Sequence, residues 1–135
     1  MDKFVGKWEQ TATENMENYL KATDVPESDI KKALELLGSG LHETIEISGN
    51  DVTITESGNT SSNQQVKKGT LGQEVDFTYH SGQTCKLLFS LEGGDLVETT
   101  KGKHTTRVVR KVDGNTMTHL LTAGNVTATR TFKKP

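Results

Sequence analysis

The stretch Val126-Thr127-Ala128-Thr129-Arg130-Thr131-Phe132-Lys133 alternates apolar and polar residues, yet one charge, Arg130, stands on its apolar face. A guanidinium keeps its proton and is costly to bury unpaired. An inward-facing Arg130 must therefore meet an anion or a strongly polar group. Two preceding stretches repeat the pattern. Thr106, Val108, Arg110 and Val112 share a face, and Met117, His119 and Leu121 form a row with an imidazole at its centre. Two fixed cations and an imidazole can hold an anionic or polar group. No serine or cysteine nucleophile motif and no carboxylate pair accompanies them, which argues against hydrolytic or acid–base catalysis.

Such side chains converge only if their strands are neighbours. Asp113-Gly114 and Gly124-Asn125 read as two-residue hairpin turns. Counting back from them pairs Arg110 with Met117, Met117 with Phe132, and His119 with Arg130, all on one face of three antiparallel strands. Earlier in the chain, Phe4 through Thr11 reads as a strand. A helix follows, with Thr13 as its N-cap and Met16, Tyr19 and Leu20 at i, i+3 and i+4. A second helix opens at Pro26, carries Ile30, Ala33, Leu34 and Leu37, and stops at Gly38. From Leu41 onward only strand-sized runs appear, broken at Gly49-Asn50, Ser57-Gly58-Asn59, Lys68-Gly69, His80-Ser81-Gly82, Glu92-Gly93-Gly94 and Lys101-Gly102-Lys103. The expectation is ten strands with a helical pair between the first two, in a single domain over residues 1–135.

Of the 135 residues 31% are hydrophobic, and the formal net charge is −2. That is a thin core, and a closed barrel around a partly wet interior needs fewer apolar residues than a solid one. With 5% aromatic residues and no basic tract, the footprint of a nucleic-acid binder is missing. No apolar run is long enough to span a membrane, no secretory h-region opens the chain, and the single Cys85 cannot form an internal disulfide. A reducing, cytoplasmic setting fits these features.

Several segments in this order resemble the intracellular lipid-binding proteins, the cellular fatty-acid-, retinoid- and bile-acid-binding proteins. They are Phe4-Val5-Gly6-Lys7-Trp8, the run from Glu14 to Ala22, Leu71-Gly72-Gln73-Glu74, Leu91-Glu92-Gly93-Gly94 before Leu96-Val97, and Arg130-Thr131-Phe132. The resemblance spans the whole chain. It implies an all-β, ten-stranded antiparallel up-and-down barrel of lipocalin-like (calycin) architecture, capped by a helix-turn-helix lid. It also implies a non-enzymatic monomer without cofactor or metal, which carries a fatty acid or other small hydrophobic ligand in the cytoplasm and also the nucleus. The family's carboxylate clamp of two arginines and a tyrosine falls on Arg110, Arg130 and Phe132, with Met117, His119 and Leu121 beside it. A phenyl ring cannot donate to a carboxylate, and His119 is the candidate replacement. Replacing Arg110 or Arg130 by Gln is expected to weaken a fatty acid and to spare the fold. Ligand entry is expected past the lid, at Ile30, Leu34, Ser57, Gly58 and Ser81.

Val25-Pro26-Glu27-Ser28-Asp29-Ile30 resembles the liver-type and bile-acid branch. Gly69 stands where the family often has a cavity phenylalanine, which leaves room for a bulkier bile-acid, sterol-like or retinoid ligand. An extracellular lipocalin shares the glycine-x-tryptophan of the first strand, but the two helices and the lack of paired cysteines argue against it. The family touches membranes transiently through its lid. Here residues 13–38 carry three lysines against six acidic residues, so attraction to anionic lipid is expected to be weak. Arg130 has a purely structural alternative, stacking on Trp8. His42, His80 and His104 read as surface residues at no metal-ligand spacing, and Cys85 as an inert packed thiol.

Overall fold

A computed structural model describes residues 2–23, 28, 30–31, 42–57, 65–78, 84–102 and 105–134. A 3-10 turn, Asp2–Phe4, precedes β1 (Gly6–Glu14) and α1 (Met16–Ala22). Nine further strands follow: β2 (His42–Ser48), β3 (Asp51–Ser57), β4 (Gln65–Thr70), β5 (Val75–Thr78), β6 (Thr84–Glu92), β7 (Asp95–Lys101), β8 (Thr105–Asp113), β9 (Thr116–Ala123) and β10 (Val126–Lys133). They form one antiparallel ten-stranded sheet in the order β4-β3-β2-β1-β10-β9-β8-β7-β6-β5. The sheet curls into a nearly closed barrel whose two end strands, β4 and β5, are joined by no ladder among the described residues; one isolated bridge, Thr70 to Gln73, lies between them.

The expected up-and-down barrel is therefore present, with corrections at its first elements. Phe4 lies in the 3-10 turn, not in β1, and Thr13 is a strand residue paired with Arg130. An irregularity between Gln10 and Ala12 lets β1 follow β10 as far as Glu14. The N-cap of α1 is Asn15, at φ 62°; its side-chain amide caps nothing and donates instead to the Thr127 carbonyl at 2.9 Å, which ties the helix start to β10. Of the second helix only Ser28, Ile30 and Lys31 are described; they are helical, and Ile30 is buried.

The β8–β9 turn is Gly114-Asn115, not Asp113-Gly114. Gly114 takes φ 61° at the first turn position, the place a II′ hairpin reserves for glycine, and Gly124 before Asn125 does the same at φ 59°. Moving the turn by one residue moves the register by two. Arg110 therefore faces His119, not Met117, while the inward face is kept. The other expected pairs, Phe132 with Met117 and Arg130 with His119, are present.

Inward-facing side chains form two apolar clusters. One is built on Phe4, Trp8, Ile45, Ile54, Phe89, Met117 and Phe132; the other lies under α1, where Met16 and Tyr19 meet Val108, Leu121, Ala123 and Ala128. Trp8 donates its indole N–H to the Phe4 carbonyl at 3.0 Å. The ring of Trp8 carries Lys134 at 5.0 Å, so Arg130 is not its cation; Arg130 lies 4.9 Å from the ring of Phe132.

Candidate functional site: a charged belt between two apolar clusters

Along β8, β9 and β10 one polar residue interrupts each inward row. Arg110 stands between Val108 and Val112, His119 between Leu121 and Met117, and Arg130 between Ala128 and Phe132. In each row the flanking residues belong to different apolar clusters. The three polar residues thus form a belt between the two, and the register sets His119 directly opposite both arginines. His119 also packs on Phe132, with ring centroids 4.5 Å apart. All six residues expected at a ligand site, Arg110, Met117, His119, Leu121, Arg130 and Phe132, are buried inside the barrel. Of the expected portal, Leu34, Gly58 and Ser81 lie outside the described residues, and Ser57 is described only as the backbone end of β3.

What sequence reasoning missed is the other half of the belt, three acids and a lysine: Glu98 from β7 beside β8, and Glu43, Glu56 and Lys67 from β2, β3 and β4 across the barrel. Glu43 of β2 accepts from Arg110 Nε at 3.1 Å, and Glu98 of β7 lies 3.1 Å from Arg110 Nη2. Lys67 of β4 donates to Glu98 at 2.8 Å. Arg130 donates to Glu56 of β3 and to Gln10 of β1, both at 2.7 Å. Glu98 and Arg110 are on neighbouring strands, β7 and β8, whereas the pairs Arg110–Glu43, Lys67–Glu98 and Arg130–Glu56 join strands that are not neighbours in the sheet and so span the interior. Three cations, Lys67, Arg110 and Arg130, face three acids, Glu43, Glu56 and Glu98.

Burial alone would raise the Glu43 carboxyl, but Arg110 and His119 outweigh it and hold Glu43 well below the usual carboxylate range. Burial likewise opposes ionisation of Glu98, and Lys67 with Arg110 overrides it, holding this carboxyl at about 2. For Arg110 burial acts against the charge, and Glu43 and Glu98 reverse the effect. His119 differs. Burial lowers its pKa and Glu43 offsets this only in part, so the imidazole is neutral at pH 7. Its Nε2 lies 3.1 Å from Glu43 Oε1 but off hydrogen-bond alignment. Arg110 Nη1, Arg130 Nη2, Glu43 Oε2 and His119 Nδ1 are buried with no hydrogen-bond partner among the described residues. With Glu98 Oε1, which touches Arg110 only as an ion pair, two donors, two carboxylate acceptors and an adaptable imidazole therefore remain for another polar group.

These shifts fix how stability follows pH. The depressed carboxylates contribute stability above the ordinary value of 4.5, and Glu98 loses its share as pH falls from there towards about 2. His119, depressed by burial, acts in the same direction at higher pH, because the unfolded chain gains its proton first as pH drops below 6.5. Urea midpoints are expected to fall from pH 7 downward and most steeply below 4.5. A flat profile between pH 7 and 3 would show that the belt is not ionised as described.

Other expectations meet mixed outcomes. His42 is half-buried at the start of β2, not a surface residue, and His80 and His104 lie outside the described residues. Cys85 is buried. The room expected beside Gly69 is filled: a Cβ there would lie 2.8 Å from the ring of Phe89.

A small β-barrel lined by apolar side chains around one polar belt has the form of a binding shell. Residues 2–135 match the family described as lipocalin / cytosolic fatty-acid binding proteins, and the chain belongs to that family. It is 34% identical over 131 residues to a liver-type fatty acid-binding protein of Takifugu rubripes, covering 97% of this chain and 98% of the relative. It is 31% identical over 136 residues to a fatty acid-binding protein type 2 of Fasciola hepatica, covering 99% of each. Among solved structures, the REP1-NXSQ fatty acid transporter is similar with a TM-score of 0.89 at 26% identity, over 100% of this chain and 98% of that one. The family resemblance read from the sequence is thereby borne out.

Proposed function

We propose that the chain is a single-domain, non-enzymatic carrier of one long-chain fatty acid or similar amphipathic lipid. The ligand's polar head lies against Arg110, His119 and Arg130, and its tail runs along Leu121 towards α1, with Met117 and Phe132 beneath the head. The observation that carries this reading is the set of unpartnered polar atoms on Arg110, His119 and Arg130 between two apolar clusters. The names of the relatives, fatty acid-binding proteins and a fatty acid transporter, support the same ligand class. A flexible chain suits the interior better than a rigid bile acid, sterol or retinoid, because Phe89 fills the space that Gly69 would have opened. Burying about fifteen methylenes at ~0.8 kcal/mol each supplies about 12 kcal/mol before ordering costs, enough for micromolar to nanomolar affinity. Such a carrier works as a monomer in the cytoplasm, with access to the nucleus. It exchanges ligand past Ile30, Leu34, Ser57, Gly58 and Ser81 and touches membranes only weakly through its acidic lid.

Delipidated protein titrated with long-chain fatty acid, amide and alcohol of equal length is expected to take up one equivalent of at least one of them. Esters of the same acid, incubated in the same tube, are expected to remain intact. Failure to bind all three would remove the carrier reading, and ester turnover would remove the non-enzymatic one.

A further inference from the structure

The belt is already neutral. A carboxylate head group would enter as a fourth anion among three cations that each have a carboxylate partner, and no further belt cation among the described residues is left over to balance it. The unpartnered atoms point the same way. Arg110 Nη1 and Arg130 Nη2 donate, but Glu43 Oε2 accepts, and a carboxylate has no hydrogen to give it. An amide fits both needs, with its carbonyl accepting from an arginine and its N–H donating to Glu43. A protonated carboxylic acid or an alcohol does so with fewer hydrogens.

We propose that Glu43 makes this site selective for uncharged head groups that both accept and donate, of which a long-chain primary amide is the simplest, and that a fatty acid enters only together with one proton. The inference rests on the reading of the chain as a lipid carrier and names the head-group class of that same site. The charged and titratable groups facing Glu43 are Arg110 on β8, His119 on β9, Arg130 on β10, Glu98 on β7 and, as the register partner of Glu43, Glu56 on β3; Lys67 on β4 and Tyr19 on α1 stand behind them, next to Glu98. Arg110 and His119 act on Glu43 most strongly among them. The proton comes from the buffer and resides on the ligand, on Glu43 or on His119, and the count taken up is one in each case.

A carboxylic acid of ordinary pKa near 4.3 is protonated in only about one molecule in 500 at pH 7. Hexadecanamide is therefore expected to bind delipidated protein at least tenfold, and up to about 500-fold, more tightly than palmitic acid. Calorimetry in two buffers of different ionisation enthalpy should count one proton taken up per palmitic acid and none per amide. The acid's affinity should rise about tenfold from pH 8 to pH 7. In Glu43→Gln the acid should gain tenfold or more and bind with no proton uptake, since the belt then keeps a cation for it. The wild-type proton count needs no variant and decides the matter even if Glu43→Gln folds poorly. Palmitic acid bound more tightly than the amide, with no proton uptake, would overturn the proposal while leaving the carrier intact. Failure of the acid, amide and alcohol alike would instead remove the carrier reading, and this proposal with it.

Discussion

Arg110→Leu is expected to cost about 3–5 kcal/mol of unfolding free energy, a large share of the stability of a domain this size. The side chain is 4% exposed and stands between Glu43 and Glu98, whose side chains are 0% and 2% exposed. Leucine fills some of the volume but leaves both carboxylates without their shared cation. Glu98 keeps Lys67 at 2.8 Å, whereas Glu43 keeps, among the described residues, the imidazole of His119 in contact and the more distant charge of Arg130. A proton can replace the missing charge, either on Glu43 or by making His119 the new cation. The deficit should therefore shrink as pH is lowered from 7.5 to 5.5, although the wild type itself loses stability over that interval. Adding Glu43→Gln to Arg110→Leu should recover part of the loss, a non-additivity of about 1–3 kcal/mol in a double-mutant cycle. Urea unfolding at several pH values measures all of this. A loss below 1 kcal/mol that is the same at every pH would mean that water, not Arg110, solvates the two acids. The sequence alone suggested that the arginines could be neutralised without harm to the fold; the buried acids paired with them reverse that expectation.

The acids were legible in part. Glu43 shares a face with Ile45 and Ile47, Glu56 with Val52 and Ile54, and Glu98 with Leu96 and Thr100, so each breaks an inward row as the arginines do. A cation forced inward demands an anion, and these three misplaced carboxylates were candidates for the protein's own. Lys67 gave no such signal. In β4 the apolar Val66 faces outward, 39% exposed, and Lys67 faces in towards Glu98, which inverts the pattern that identifies a buried face. Strand number and facing were readable because a period of two survives a register error of two residues, as at Gly114-Asn115. Pairing across the interior was not readable. It depends on how ten strands curl, which no local spacing encodes.

The second large effect is expected at Gly69 and Phe89, where β4 meets β6 beside the unpaired seam of the barrel. A Cβ on Gly69 would stand 2.8 Å and 3.1 Å from two carbons of the Phe89 ring, which is 0% exposed. Gly69→Phe should thus overpack the seam, at about 1–3 kcal/mol or more. Phe89→Ala should remove the ring from the cluster of Trp8, Ile54, Met117 and Phe132 and cost about 3–5 kcal/mol. The two changes together place one phenyl ring in much the same space, carried by β4 instead of β6. The double variant should therefore be more stable than Phe89→Ala alone, and the sum of the single losses should exceed the double loss by about 2 kcal/mol or more. The backbone contact between the Gly72 N–H and the Phe89 carbonyl, 2.8 Å, involves no side chain and should hold the seam in all three variants. Denaturant titrations of the three variants measure the coupling. Additive losses would mean that the ring at position 69 does not enter the space left by Phe89, and that this seam holds its shape through the β6 side chain alone.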